Sequence, residues 1–345
     1  MEQLVNELIE TLGAWLPAPH AASFVGLGQG SSFSGAGLWR AEHHDAIYVL
    51  RVWPATATPQ RLDEIIRLQR SIAVANLPVA APLALAAAPG KFVLARVSTD
   101  AQPAFWTLSP WLAGAADYWT YPRPAKLKAA LRTLADLHHA AASVDIADCH
   151  GRPRTARSPA LSKRTERLAA LQAGDLAELK SHVARGPASL TRELAFHALA
   201  HSERALPRLG HESHRWREES LPLQWVLRDV WHDHILFTED RVTGVLDFGA
   251  AAVDSPAGDV ARLLGSLVGD DEAAWQLGLE AYASRRQLSP DELAAARFFD
   301  ASGTLLSAMN WVHWLYRDST SLGPSVDLPA AHRRLERLVA RLRYL

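Results

Sequence analysis

The sequence predicts an α+β protein in two segregated lobes, a small one rich in strands and a larger one built of helices. Three observations carry that expectation. Runs of β-branched and aromatic residues, such as Ile47–Trp53, are gathered in the first third of the chain. From Gly114 onward the apolar residues recur mainly at helical spacing. Within that helical stretch, a short strand–turn–strand pattern over Ile235–Leu246 stands between acidic residues. The expected boundary puts residues 1–113 in the first lobe and 114–345 in the second.

The elements follow in order. Leu4, Leu8, Leu12 and Trp15 share one helical face, so residues 2–16 read as an amphipathic helix that Pro17 and Pro19 close. A Gly/Ser-rich stretch over residues 26–37 comes next, between strand-like runs. Ile47–Trp53 is the strand after it, ended by Pro54. Residues 59–73 form a helix with Leu62, Ile65, Ile66 and Ile72 on one side. Lys91–Val97 and Phe105–Leu108 are two further strands, and Ser109–Gly114 breaks the pattern. Leu127, Leu131, Leu134 and His138 then mark a helix, and residues 271–284, 291–317 and 328–343 read as three more.

Composition narrows the functional classes. The 345 residues carry 36 Lys+Arg against 37 Asp+Glu, a formal charge of −1. A general nucleic-acid binder needs a positive surface to release counterions from phosphates, and a polybasic membrane-surface protein needs one too. Neither nucleic acid nor a membrane is therefore the expected partner. The balance does not exclude a single anionic ligand met by local groups. Cys149 is the one cysteine, so no intrachain disulfide can form and a cytoplasmic protein is the expectation. The first residues carry acids early and no basic segment leading into an apolar core, unlike a secretory signal. The longest apolar tract, Ile72–Pro89, is interrupted by Asn76, Pro78 and Pro82 and is a poor membrane span. Tryptophan is over-represented, with 12 against 6 Tyr and 9 Phe. Trp53, Trp106, Trp111, Trp225, Trp231, Trp311 and Trp314 fall on segments assigned below to the site and its supports.

The segment Val226–Gly249 carries the chemistry. Ile235–Phe237 and Val242–Leu246 are two short strands, with Glu239, Asp240 and Arg241 between them. A hairpin centred on Asp240–Arg241 would set His234 opposite Asp247, with Cβ atoms about 4.5–5.5 Å apart. Two side chains at that separation can share one cation. Asp229 precedes His234 on the same loop and brings a further carboxylate. A carboxylate, a cation clamp and an upstream Gly-rich loop fit phosphoryl transfer from a nucleotide. That loop is neither a Walker A run nor a strict Gly-x-Gly-x-x-Gly. Its Gly28 and Gly30, with Ser31, Ser32 and the backbone amides, could cradle phosphate ahead of Arg51.

Taken together these motifs resemble the aminoglycoside phosphotransferase and choline kinase family of small-molecule kinases, over about Phe24–Leu267. Members of that family read His-Gly-Asp-x-His-x-x-Asn, then a hairpin, then Ile-Asp-Phe/Trp. Here the matching positions are Leu227, Arg228, Asp229, Val230, Trp231, His232, Asp233 and His234, and the hairpin ends in Leu246–Gly249. Tyr48–Arg51 is similar to the family's third strand, Thr107–Gly114 to its hinge, and Leu134–His138 to the helix before the catalytic region. Pro256–Ala261 resembles the run in which an Asp, here Asp259, braces the loop. The resemblance implies a bilobal protein-kinase-like fold and transfer of the γ-phosphate of ATP to a hydroxyl of a small-molecule acceptor. It implies Asp229 as the catalytic base, Asp247 and His234 as ligands of Mg²⁺ (or Mn²⁺), and Arg51 on the nucleotide phosphates. The hinge positions Ser109 and Trp111 would meet adenine, and Glu64 would be the helix partner of Arg51.

The chain departs from the family where Leu227 replaces His and His234 replaces Asn. Mg²⁺ prefers oxygen ligands, whereas imidazole suits softer metals, so Asp233 is an alternative donor and a single ligand, Asp247, another arrangement. The same departures motivate an alternative reading, a pseudokinase-like protein that binds a nucleotide or metabolite and transfers nothing. Blander roles compete elsewhere. His138 reads as a hydrogen-bonded core histidine, His43 and His44 as turn residues, and isolated Cys149 as having no metal role. Asp270, Asp271 and Glu272 read as favourable charge at a helix start, or as an acidic lip for an amine. Trp311, Trp314 and Tyr316 read as core packing, or as a box for a quaternary ammonium. An aminoglycoside acceptor would call for a conspicuous acidic surface, which the short acidic run does not supply.

Overall fold

Residues 2–27, 36–97, 103–144, 154–318 and 328–345 are described by the computed structural model of the chain. In chain order the first elements are α1 (Glu2–Leu12), β1 (Ser23–Gly26), β2 (Gly37–His43), β3 (Ala46–Val52), α2 (Pro59–Val74), β4 (Leu94–Val97) and β5 (Pro103–Pro110). Then come α3 (Pro124–Ala142), β6 (Arg154–Ala156), α4 (Pro159–Ala170), α5 (Leu176–Arg185), α6 (Leu190–Ser213), α7 (Arg215–Glu218) and β7 (Leu221–Val226). The last are β8 (Ile235–Thr238), β9 (Arg241–Val245), β10 (Ala252–Asp254), α8 (Pro256–Val268), α9 (Glu272–Ala283), α10 (Pro290–Tyr316) and α11 (Leu328–Leu342). The chain divides into two compact units. One runs to Ala116 and also takes His234–Gly249; the other holds Asp117–Asp233 and Ala250–Leu345.

The first unit is built on a five-stranded antiparallel sheet in the order β1-β2-β3-β5-β4. His43 pairs with Ala46, so His44 and Asp45 form the β2–β3 turn, with His44 in the left-handed region at φ 50°. Leu8 and Leu12 of α1 join Trp15, Trp39, Leu50, Trp106 and Leu108 in one core cluster. Burying each such Leu is worth about 1.5–3 kcal/mol. Trp39 and Trp106 stack with ring centroids 5.5 Å apart. Helix α1 stops at Leu12, short of the expected residue 16, because the chain turns there and sends Trp15 into this core. The Trp15 indole donates to the Leu83 carbonyl at 3.1 Å. Thr58 caps α2 by accepting from the Arg61 amide at 3.3 Å, and Pro59 opens the helix.

The β8–β9 hairpin belongs to this unit and corrects the expected register. Thr238 pairs with Arg241, so the turn residues are Glu239 and Asp240, with Glu239 left-handed at φ 55°. A register shift follows: Phe237 pairs with Val242, but Leu236 with Gly244 and Ile235 with Val245. Thr243 is the extra residue. It is held there because its hydroxyl donates to the Ala113 carbonyl at 2.7 Å. The Leu246 amide consequently bonds the His234 carbonyl, so Leu246 rather than Asp247 falls opposite His234 and Asp247 lies one residue beyond. Gly114, with φ 115°, lets the chain pass this hairpin. A Cβ there would sit 2.3 Å from the Thr243 hydroxyl and 2.8 Å from the Phe237 carbonyl oxygen. The next residue, Ala115, exchanges both backbone bonds with Phe237.

The second unit is mostly helical, with α10 packed on α8 and α11, and α3 packed on α9. It also holds a three-stranded antiparallel sheet, β10-β7-β6, absent from the sequence-based expectation. Pro222 inside β7 obscures it, since proline cannot donate to a sheet ladder. Val226 pairs with Ala252, and this pairing fixes the point at which the loop 227–233 begins. The structure has the expected β-rich part and larger helical part, but His234–Gly249, expected with residues 114–345, fall in the first unit, because the hairpin bonds the chain at Ala113 and Ala115. Among the described residues no helix is long and apolar enough to cross a membrane.

Candidate functional site

In the first unit the site grows from the end of the hairpin and the middle of β3. Beyond β9 the backbone turns sharply at Asp247, whose φ of 55° costs a non-glycine residue about 1–2 kcal/mol. The carboxylate recovers part of this by accepting the Gly249 amide at 3.0 Å. Arg51, paired in the sheet with Leu38 and Thr107, sends its guanidinium to the same oxygen at 3.4 and 3.5 Å, an ion pair looser than a bidentate fork. Its guanidinium carbon lies 4.0 Å over the Trp53 ring, and the Trp53 indole donates to the Thr107 hydroxyl at 3.1 Å. The Arg51 Nε is buried and has no hydrogen-bond partner among the described residues. Burial works against ionising Asp247, yet Arg51, the Gly249 amide and nearby His234 hold its carboxyl below the usual carboxylate range.

Asp247 and His234 offer ligand atoms within 4.8 Å of one another. The hairpin thus brings these two together although the register differs from the expected one. Among the described residues, nothing bonds the second carboxylate oxygen of Asp247. An ionised oxygen donor beside an imidazole is a set that a divalent cation accepts, the carboxylate suiting Mg²⁺ or Mn²⁺ and the nitrogen favouring softer metals.

Glu64 does not pair with Arg51. It pairs instead with Arg61, one helical turn away, at 3.5 Å, and Arg51 turns to Asp247. Arg61 is the residue that sequence reasoning missed. Its Nη2 donates to the Gly249 carbonyl at 3.2 Å and ties α2 to the segment after Asp247. The signal available was its placement three residues before Glu64 on the same helix.

In the second unit the loop 227–233 follows β7. Arg228 is left-handed at φ 63°, directly before Asp229. Buried Asp259 of α8 accepts the Leu227 and Arg228 amides at 2.6 and 2.7 Å, and this double bond to the backbone holds the strained turn. His138 of α3, also buried, donates from Nε2 to Asp259 at 3.1 Å and accepts the Tyr282 hydroxyl at Nδ1, 2.7 Å away. Burial lowers the His138 pKa in spite of Asp259, so the imidazole is neutral. It is the hydrogen-bonded core histidine that its helical face suggested. Asp229 forms an ion pair with Arg262 of α8. Asp233 meets the His232 ring at 3.2 Å, and the ring in turn stacks on Trp119.

The remaining candidates are dispersed. Gly28, Gly30, Ser31 and Ser32 lie outside the described residues, as does Cys149. Ser109 pairs with Val49 in the sheet. The Trp111 amide is engaged by the Ile47 carbonyl at 2.9 Å, and its half-exposed ring lies 5.5 Å from the Arg40 guanidinium. Asp271 caps α9 through the Ala274 amide, Asp270 pairs with Arg341, and Glu272 with Arg297. Those three acids therefore serve the bland role, helix capping and surface pairing. Trp311 and Trp314 pack edge to face at 5.3 Å.

A family model described as the phosphotransferase enzyme family matches residues 30–299. Among solved structures, an amicoumacin kinase in complex with AMP-PNP and Ca²⁺ is similar at TM-score 0.64 and 12% identity, covering 99% of this chain and 93% of that one. A spectinomycin phosphotransferase in complex with ADP and its antibiotic has TM-score 0.64 and 13% identity, over 98% and 97% of the two chains. A microcompartment-associated aminopropanol kinase has TM-score 0.61 and 15% identity, over 98% and 96%. At these identities the likeness is one of fold, and the fold is the bilobal kinase-like one. No curated protein matches by sequence.

Proposed function

From the premise that this chain belongs to the phosphotransferase enzyme family, we propose that it moves the γ-phosphoryl group of ATP to a hydroxyl of a small molecule. The observation that carries this reading is the Arg51–Asp247 pair at the end of the hairpin. It sets a phosphate-binding cation beside a carboxylate kept ionised, the two charges that a nucleotide triphosphate and its metal require. Solved relatives in fold hold AMP-PNP or ADP, which supports a nucleotide as donor.

In this proposal residues 1–113 bind the nucleotide. Arg51 offers its Nε, unpartnered among the described residues, and the rest of its fork to phosphate oxygens, stacked on Trp53 so that it arrives with little rotamer freedom left to lose. Gly28, Gly30, Ser31 and Ser32 would wrap the phosphates, and Ser109 and Trp111 would flank the base. Asp247 and His234 would hold Mg²⁺ or Mn²⁺, which neutralises charge on the transferring group when bound. Asp229 would orient the acceptor hydroxyl and take its proton, while Asp259 keeps the Asp229 loop in place. Residues 114–345 would supply the acceptor pocket. We place the enzyme in the cytoplasm, where a single cysteine stays reduced.

The test measures AMP-PNP binding with Mg²⁺ and with Mn²⁺, then ADP formation across hydroxylated acceptors, for the parent, Asp229→Ala and Asp247→Ala. Asp247→Ala should weaken metal-dependent nucleotide binding, and Asp229→Ala should abolish turnover while nucleotide binding persists. Nucleotide binding with no turnover in the parent would assign the chain to the non-catalytic binding proteins instead.

A further inference from the structure

Several guanidinium groups lie on or against the Asp229 loop and, among the described residues, they outnumber the carboxylates paired with them. Arg262 of α8 pairs with Asp229. Arg334 of α11 lies over the Trp231 ring at 4.7 Å, and Arg337, one turn on, lies over Trp119 at 4.2 Å. Trp119 stacks on His232, so both α11 arginines rest on aromatic rings of, or against, the loop. Arg228 is in the loop itself and exposed. Arg164 of α4 lies 4.8 Å from the Phe299 ring, and its Nε is buried with no partner among the described residues.

These cations act on one another. Burial and then Arg262 push the Arg164 guanidinium down to about 10, with Arg228 adding to the effect against the pull of Asp254. Burial, Arg262 and Arg337 lower Arg334 against the opposing pull of Asp233 and Asp229. The opposing carboxylates are already occupied. Asp229 holds Arg262, Asp233 faces His232, and Asp254 accepts the Ser158 hydroxyl and the Ala160 and Ser255 amides. Of the five arginines, Arg262 alone forms an ion pair among the described residues. Crowded guanidiniums repel, and a desolvated one is costly unless an anion answers it. The planar fork of arginine matches carboxylate and phosphate oxygens. The acidic run Asp270, Asp271 and Glu272 is committed to Arg341, a helix cap and Arg297.

We propose that the acceptor carries an anionic group beside its hydroxyl, a carboxylate or a phosphate ester, and that Arg334, Arg228 and Arg262 bind it next to Asp229. This inference rests on the phosphotransferase reading only in calling the bound molecule the acceptor. The arginine site itself can be tested apart from it.

The probes are malonate, inorganic phosphate and, as the cationic control, 1,3-diaminopropane. Each is titrated into the full chain at constant ionic strength, with and without saturating AMP-PNP, and followed by tryptophan fluorescence, for which Trp231 and Trp119 are the local reporters. Malonate or phosphate should saturate the signal in roughly the millimolar range, and Arg334→Gln and Arg228→Gln should each weaken it by about tenfold or more. The anion with the lower half-saturation identifies the group as carboxylate or phosphate. Melting curves check the folding of both variants, and exposed Arg228 carries the test should Arg334→Gln unfold. No anion response in the parent overturns the proposal, as does a response equal in parent and variants or a response to the diamine alone. AMP-PNP binding without an anion response defeats this inference and leaves the phosphotransferase reading standing. Anion binding by a chain that never binds AMP-PNP does the reverse.

Discussion

Replacing Asp259 with Asn tests whether one buried carboxylate holds the loop that carries Asp229. Three donors converge on it: the Leu227 and Arg228 amides at 2.6 and 2.7 Å and His138 Nε2 at 3.1 Å. Asn presents one acceptor oxygen and one NH₂, so in either orientation at least one donor faces another donor. A buried donor left unsatisfied costs about 1–3 kcal/mol, and each surviving bond loses about 1 kcal/mol when its acceptor becomes neutral. The sum is a destabilisation of about 4 kcal/mol. A second effect is local. Arg228 is held at φ 63° by one of these bonds, and a left-handed arginine without it relaxes and carries Asp229 along. Urea unfolding should register the global loss. Hydrogen exchange at the 227–230 amides should rise by more than the global change accounts for. A stability loss under about 1 kcal/mol, together with unchanged exchange at Leu227 and Arg228, would refute the bracing role.

Three further outcomes are expected. Gly114→Ala should destabilise the first unit by about 2–4 kcal/mol, because φ is 115° and the new Cβ meets the Thr243 hydroxyl and the Phe237 carbonyl; chemical denaturation measures it. His138 is neutral in the fold and protonates near its ordinary pKa of about 6.5 when unfolded, so its contribution to stability is present above that pH and falls away below it. Between pH 7.5 and 5.5 the parent should therefore lose stability that His138→Gln does not lose, read as the difference between the two proteins' urea curves. Glu64→Gln should leave AMP-PNP affinity within about twofold, since Glu64 pairs with Arg61, whereas Arg51→Met should weaken it by about tenfold or more in a calorimetric titration.

The local chemistry was legible in the sequence because it rests on short-range rules. Alternating apolar residues and a turn marked the hairpin, helical periodicity placed His138 inward, and the order of Arg51, Asp229 and Asp247 matched a known constellation. β7 escaped because Pro222 breaks the strand pattern while its neighbours complete the ladder. The hairpin register escaped for a similar reason. Whether Thr243 is an extra residue depends on the Ala113 carbonyl, which is 130 positions away. The Gly-rich loop was visible as composition, and Gly28, Gly30, Ser31 and Ser32 stay a sequence expectation.

By itself, then, the sequence determined the division into a β-rich and a helical part, the residues that carry charge and the family to which they belong. Backbone periodicity and motif spacing are properties of neighbouring residues and can be read without a fold. Only tertiary structure decided which charge meets which: Arg51 with Asp247 rather than Glu64, Glu64 with Arg61, Asp259 beneath the Asp229 loop, and arginines of α4, α8 and α11 around it. A net charge of −1 gives no hint of that cluster, because electrostatic energy depends on the distances between charges, and only the packing of distant helices sets those distances.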